Sequence, residues 1–434
     1  MGRVGDIEAA LGRESAEWKA GGRTVFFSAL AYGSGPLLFL TSASVFMRPT
    51  MEATGWSSSE VLLSPLVALL FTLFGPFVGR FVDRRGVRRA IMIGIIPYIG
   101  LAILFALLPA NRITFYLLAA AIGIFGAFGY QIPYSRAVAN WFDKGAGKAF
   151  GFVGMGGAAM PLLGIPLVTL AIYQAGWQAG YLVLAAFALL MALPSAFFGV
   201  HERQDGVPST QHRPMVGQPA PDLSDQPEGK EVRDIFRGAR FWMFALHIFF
   251  VGAAASGFLS NMQPILLDGG LDVAVATTVT TLFTAGIICG RLGAGILMDL
   301  IDRYWVAVPI FIVSICCALA LANIGFLPVV IVAVAAVLTA AGQGAEGDIG
   351  AYFILKEYGR EHFGTLYATA GIFGGTGGLV APFLFTYMRD TTGSYTAAAY
   401  LGAALYGAGA LAIIVFGVLG RCERKREDPR PLEA

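Results

Sequence analysis

Twelve long apolar stretches, divided by shorter polar ones, account for most of the chain: 24–46, 61–82, 90–108, 113–138, 149–173, 178–200, 241–266, 274–298, 305–325, 328–355, 363–388 and 396–420. Each is close to the ~20 residues a helix needs to cross a hydrocarbon layer. Backbone groups in lipid must be satisfied internally, and runs of this length suit helices rather than barrel strands. The pattern therefore predicts an all-α membrane protein with twelve transmembrane helices. The 56 glycines fit that prediction. Small residues let membrane helices approach closely, and they are densest in span 5 (Gly151, Gly154, Gly156, Gly157) and span 11 (Gly371, Gly374, Gly375, Gly377, Gly378).

The polar segments divide the chain. Residues 1–23 mix Arg and Lys with Asp and Glu and carry no apolar run, so no cleaved signal peptide is expected. Residues 24–200 form a first six-helix bundle and 241–420 a second. The segment between them, 201–240, is interrupted by Pro208, Pro214, Pro219, Pro221 and Pro227 and reads as a flexible linker. Its end, Glu231 to Arg240, is expected to form a short amphipathic helix at the membrane surface. A basic tail, 421–434, closes the chain.

Charge orients the whole. With both termini cytoplasmic, Arg48, Arg112 and Arg389 are the only ones of the 30 Lys and Arg residues in outer loops, and Arg291 lies deep within a span. The bias obeys the positive-inside rule and predicts a multi-pass protein of the cell's inner (plasma) membrane.

Composition narrows the function classes. Only 13% of residues are charged, where a soluble domain carries about a quarter. Net charge is +2, so nothing points to nucleic acid. Cys289, Cys316, Cys317 and Cys422 and the four scattered histidines show no metal spacing. Neither Gly147-Lys148 nor Gly229-Lys230 completes a phosphate-binding loop. No nucleophile–base pair suggests an enzyme, and neither metal nor cofactor is expected.

One polar loop carries a motif: Gly79-Arg80-Phe81-Val82-Asp83-Arg84-Arg85-Gly86-Val87-Arg88-Arg89, between spans 2 and 3. Gly295 and Asp299, with Arg303 beyond, echo Gly79 and Asp83 at the same offset of 216 positions. The loop resembles the G-x-x-x-D-R-x-G-R-[KR] signature of the major facilitator superfamily. The resemblance covers nearly the whole chain. It implies two six-helix halves, a binding site between them near the midplane, and transport by alternating access. Gly79, Asp83, Arg84, Gly86, Arg88, Asp299 and Arg303 would then form the gating motif, with Asp83 placed to accept hydrogen bonds from a helix N-terminus near Phe363.

Three further stretches are similar to the monocarboxylate and oxalate/formate branch. They are Gly55-Trp56-Ser57 before span 2, Trp141 to Gly151 at the start of span 5, and Gly290-Arg291 in span 8. The branch implies that Arg291 binds the substrate carboxylate and that Tyr130 supplies an aromatic contact. Span 11 lacks the lysine of the oxalate-type carriers, which argues for a monoanion.

The residues themselves leave alternatives open. Arg291 is eight residues before Asp299, about 12 Å from the helix end and too deep to snorkel easily. Its guanidinium fork matches a carboxylate, or it forms a fixed salt bridge to Glu346 or Asp348. Those two acids are about 200° apart around span 10 and cannot face one cavity together. Each reads either as a proton carrier or as a gate latch. Tyr32, Tyr130 and Gln131 line a pocket or simply pack. Arg136 belongs near the gate, and Asn261 and Gln263 near the outer end of span 7. The function expected is movement of a small organic anion, a monocarboxylate, by a monomer in the lipid bilayer, with H+ as a candidate coupling ion. An exporter of drugs, sugars or other non-carboxylate solutes, or a non-transporting membrane sensor, are the alternatives.

Overall fold

The computed structural model describes residues 2–109, 111–201, 231–300 and 307–427; Arg303, most of the central linker and the end of the tail lie outside them. Among the described residues the secondary structure is helical, with no strand. Among the described residues eleven helical spans are long and apolar enough to cross a membrane, and Ala307–Ala322 is a shorter apolar helix. Apart from the first, span ends fall close to the sequence expectation because the hydrocarbon thickness sets helix length.

Three expectations need correction. The first helix does not begin near residue 24. Helix α1 (Gly2–Ser34) runs continuously through the polar N-terminal segment, and α2 (Pro36–Thr54) follows it. Pro36, at the start of α2, has no N–H to offer Tyr32 and its ring crowds that carbonyl, so the helix breaks at Gly35. The fourth span is likewise two helices, α6 (Arg112–Gly126) and α7 (Gln131–Trp141), divided by a 3₁₀ turn and an extended Tyr130 at ψ −162°. Pro133 removes the bond to Gly129 and places that break. The expected helix from Glu231 to Arg240 is shorter, Val232–Arg237 (α10), because Gly238 adopts an extended conformation and α11 (Ala239–Asp268) starts afresh.

The described chain forms two compact units. One comprises residues 1–229 with 354–369, and the other 230–353 with 370–434. In the first, α1 packs on α8 (Ala146–Ala175). A Cβ on Gly156 would lie 2.6 Å from the Ala29 Cβ, and one on Gly33 would lie 2.6 Å from the Met160 Cβ, so only glycine permits this approach. The two helix breaks meet in the same unit. A Cβ on Gly129 would fall 3.3 Å from the Pro36 ring, and one on Gly126 3.1 Å from its Cβ. In the second unit α11 packs against α16 (Thr396–Glu427). There α12 (Val273–Leu300) meets α14 (Val329–Tyr358) through Gly286, Gly290 and Gly344. A Cβ on Gly286 would lie 2.6 Å from the Val337 carbonyl oxygen, and one on Gly290 2.6 Å from the Ala341 carbonyl carbon. We expect Gly290→Val to cost about 1–3 kcal/mol by overpacking, read as a lower melting temperature of the purified protein.

The GWS stretch caps its element. Gly55 holds φ +72°, closing α2. Ser57 then donates both its N–H and its hydroxyl to the Glu60 carboxylate, at 2.8 and 2.9 Å. These bonds, with Arg112 nearby, hold the Glu60 carboxyl below the usual range.

Candidate functional site

The sequence motif becomes a capped helix terminus. Asp83, near the end of α4 (Ser64–Arg85), accepts hydrogen bonds from the backbone N–H of Gly364 (2.9 Å) and of Thr365 (2.7 Å), and from the Thr365 hydroxyl (2.8 Å). These groups open α15 (Phe363–Thr392), whose unsatisfied amides and positive dipole end attract a carboxylate. Arg136 of α7 pairs with Asp83 at 3.2 Å, and both side chains are almost buried. Gly79 permits the approach: a Cβ there would lie 2.6 Å from the Gly364 carbonyl carbon. Gly86, at φ +93°, ends α4 and begins α5 (Val87–Leu107) with a backbone a larger residue would strain. Arg84 and Arg88 are exposed, and Arg88 lies over the Phe197 ring at 4.5 Å. They are not the partners of Asp83 in its ion pair; Arg136 is.

Next to this terminus lies the connector 142–145, part of the stretch that leads into span 5. Asp143 pairs with Lys356 at 3.0 Å, and Arg360 donates to the Phe142 carbonyl at 3.1 Å. The other side is held by the N-terminal helix. Glu17, 5% exposed, accepts from the backbone N–H of Lys144 (3.2 Å) and of Gly145 (3.0 Å). Glu14 pairs with Lys148 at 2.5 Å, and Trp18 meets Phe142 edge-on at 5.1 Å. Glu14 and Glu17, acids three residues apart in the polar segment 1–23, were the signal for this docking in the sequence, and it was passed over. Burial pushes the Asp143 carboxyl up, but Lys356, its hydrogen bond, Arg360 and Lys144 hold it below the usual carboxylate range. Its depressed pKa contributes stability above the unfolded carboxylate value of ~4, lost only as pH falls below that value. Asp143→Asn should therefore change transport by the same factor at pH 5.5 and pH 7.5, as measured in proteoliposomes.

The aromatic candidates gather at the two helix breaks. Tyr32 and Tyr130 meet edge-on at 5.7 Å, Tyr32 and Tyr134 lie at 5.8 Å, and Phe71 sits 4.8 Å from Tyr130. Tyr32 is buried, whereas Tyr130 and Gln131 are half-buried at the start of α7. Arg291 belongs to the other unit. There the glycine contact between α12 and α14 sets Arg291 beside Asp348, with Nη1 to Oδ1 at 3.5 Å and side chains 19% and 4% exposed. Of the two acids offered as its partner, Asp348 forms the ion pair. Glu346 turns elsewhere: a Cβ on Gly252 would lie 3.0 Å from its Oε1, and one on Gly374 3.9 Å. Asp299 is half-buried. Tyr352, unremarked in the sequence, donates to the Met298 carbonyl one residue before it, at 3.0 Å. Asn261 is a structural knot, bonding Gly257 at 3.0 Å and accepting from Thr386 at 3.3 Å and Tyr395 at 3.4 Å.

Comparison with known proteins completes the picture. Residues 24–382 match the model of the Major Facilitator Superfamily. The MFS-type transporter YcxA of Bacillus subtilis is 26% identical over 292 residues, 64% of this chain and 65% of its own length. Monocarboxylate transporter 11 of Homo sapiens is 25% identical over 427 residues, 92% of this chain and 82% of that protein. A galacturonate transporter of Dickeya chrysanthemi is 29% identical over 184 residues, so the match spans about half its length. Among solved structures, the E. coli fucose:proton symporter in the outward conformation superposes with TM-score 0.66 at 13% identity, covering 91% of this chain and 99% of its own. The proton:xylose symporter XylE gives TM-score 0.65 at 14% identity, with 90% and 95% covered. A family match over most of the chain, and the same fold in these neighbours, show that this chain belongs to the Major Facilitator Superfamily and is a multi-pass membrane transporter.

Proposed function

We propose that the chain moves a small organic anion, a monocarboxylate, by alternating access, with Arg291 as the anchor for the carboxylate. The observation that carries this reading is the guanidinium held within a span, 3.5 Å from Asp348. A cation there is costly unless it is paired or serves a solute. A substrate carboxylate offers the same charge as Asp348 with better two-pronged geometry. Displaced from Arg291, Asp348 becomes a site for a proton; Glu346, beside Gly252, is the other. Tyr32, Tyr130 and Gln131 shape the solute's surroundings. Two of the relatives carry names for carboxylate solutes, the human monocarboxylate transporter and the Dickeya galacturonate transporter. The distribution of Lys and Arg supports cytoplasmic termini.

A second reading, export of a non-carboxylate product, is favoured by the fujikurins efflux protein of Gibberella fujikuroi, 27% identical over 254 residues and matched over half its length. Thermal shift of the purified protein against carboxylates, sugars and amines separates the two. Stabilisation by carboxylates, absent in Arg291→Gln, supports the anion reading. Stabilisation by neutral ligands alone sinks it. Loss of the pH dependence of flux in Asp348→Asn but not Glu346→Gln, or the reverse, assigns the proton site.

A further inference from the structure

The part of α1 that precedes the first span, residues 12–23, is a poor helix on its own. It holds Gly12, Gly21 and Gly22, and glycine disfavours a helix by roughly 1 kcal/mol relative to alanine. Its order comes from packing. Glu14, Glu17, Trp18 and Gly21 follow at steps of three, one and three, so they share one face. Glu17 and Gly21 are buried and Glu14 and Trp18 half-buried, whereas Arg13, Lys19 and Arg23 are exposed. Both acids are turned inward and all three cations outward. The positive-inside rule alone requires no such sorting.

The inward face grips the start of α8. Glu17 sets its two carboxylate oxygens on successive amides, those of Lys144 (3.2 Å) and Gly145 (3.0 Å). Gly145 is the N-cap of α8, so this buried charge also meets the positive end of a 30-residue helix. The fit is interlocked. A Cβ on Gly21 would fall 2.7 Å from the Phe142 ring and 2.7 Å from the Trp141 Cβ, and one on Gly145 would fall 3.1 Å from the Trp18 Nε1. The far side of the same connector carries the Asp143–Lys356 pair and the bond from Arg360 to the Phe142 carbonyl. Just inside α8, Phe150 stacks on Phe363 at 6.2 Å, beside the amides that Asp83 caps. Residues 142–150 thus have α1 on one side and the gate terminus on the other.

We propose that residues 14–21 are a strap that positions this connector against the gate, with Glu17 and Trp18 as positioning residues for the transport cycle. When the strap is released, 142–145 shift, and the Asp143–Lys356 pair and the Phe363 end of α15 loosen with them. The competing account is a local cap, which orders the first turn of α8 and nothing beyond it. The identity of the solute does not enter.

Hydrogen exchange of the purified full chain separates the two accounts without any solute. Glu17→Gln keeps the shape of the side chain but turns one acceptor into a donor facing an amide. In E17Q, amides of 144–148 should exchange about tenfold faster and those of 354–365 at least about threefold faster, with 396–410 in α16 unchanged. Trp18→Ala should give the same pattern. Trp18→Phe, which keeps a ring against Phe142, should not. In proteoliposomes, with lactate as the probe, E17Q should lower maximal flux about threefold and change the half-saturating concentration less than about twofold. Faster exchange confined to 144–148 overturns the strap and leaves a local cap. An equal increase in 396–410 also overturns it, since the loss is then one of overall stability. Lactate flux unchanged in E17Q removes the strap from the cycle. An unaltered chain that carries no lactate fails the anion reading, while the exchange pattern still decides the strap.

Discussion

Arg291→Gln is expected to remove carboxylate transport almost entirely, while Arg291→Gln combined with Asp348→Asn restores the folded protein without restoring transport. The single change leaves Asp348, 4% exposed, without the cation 3.5 Å away. Removing one member of a buried ion pair costs about 3–5 kcal/mol, because the remaining charge stays buried. A loss of flux in the single variant could therefore be a loss of fold. The double variant removes both charges and replaces them with amides of similar shape, so its melting temperature should return close to that of the unaltered protein. Its carboxylate affinity should not return. A charge-assisted hydrogen bond contributes about 1.5–3 kcal/mol, or roughly 10–100-fold in Kd. Flux of a monocarboxylate into proteoliposomes and thermal shift by the same ligand are the two measurements. A double variant that binds and transports at the original level would remove Arg291 from the solute's path.

How much of this was legible in the sequence depended on the source of each constraint. Span number and span ends follow from the bilayer, and the apolar runs record it residue by residue. The approach of Gly79 to Gly364 was carried by a motif, since a glycine and an aspartate four residues apart at a helix end state both the contact and its capping partner. The break in the fourth span was written in Pro133 and passed over, because membrane helices also tolerate proline without breaking. Tyr130 turns extended there, and its ring reaches Tyr32 through that break rather than from a continuous helix face. The choice between Glu346 and Asp348 was not legible. Their 200° separation says that they differ, but which one faces α12 depends on how Gly286 and Gly290 seat that helix against α14. The division of the chain into units was also hidden. The linker marks the half-way point of the sequence, yet residues 354–369 cluster with the N-terminal unit. Lys356, Arg360 and the amides of Gly364 and Thr365 bind Asp143, Phe142 and Asp83 there.

Those contacts lead to the second large effect. Asp83→Asn should lower maximal flux about tenfold while changing apparent affinity less than about threefold. Asn keeps the shape of the side chain, but one of its two termini becomes a donor facing other donors. Asp83 receives the N–H groups of Gly364 and Thr365 and the Thr365 hydroxyl, so at least one of these loses its acceptor. The charge that favoured the helix N-terminus and Arg136 is lost as well. Together these are worth about 1–3 kcal/mol to the state in which the contact is made. An alternating-access cycle passes through that state on every turnover, so its depopulation slows the cycle. With Arg291 as the proposed anchor, Asp83 does not itself hold the solute, so affinity falls only by the fraction of molecules that leave the competent state. Arg136→Gln should act in the same direction. The two changes together should cost less than the sum of each alone, since both remove one network. Initial rates against solute concentration in proteoliposomes separate rate from affinity. Unchanged flux in D83N, or an affinity loss as large as the rate loss, would show that the contact fixes the fold without governing the cycle.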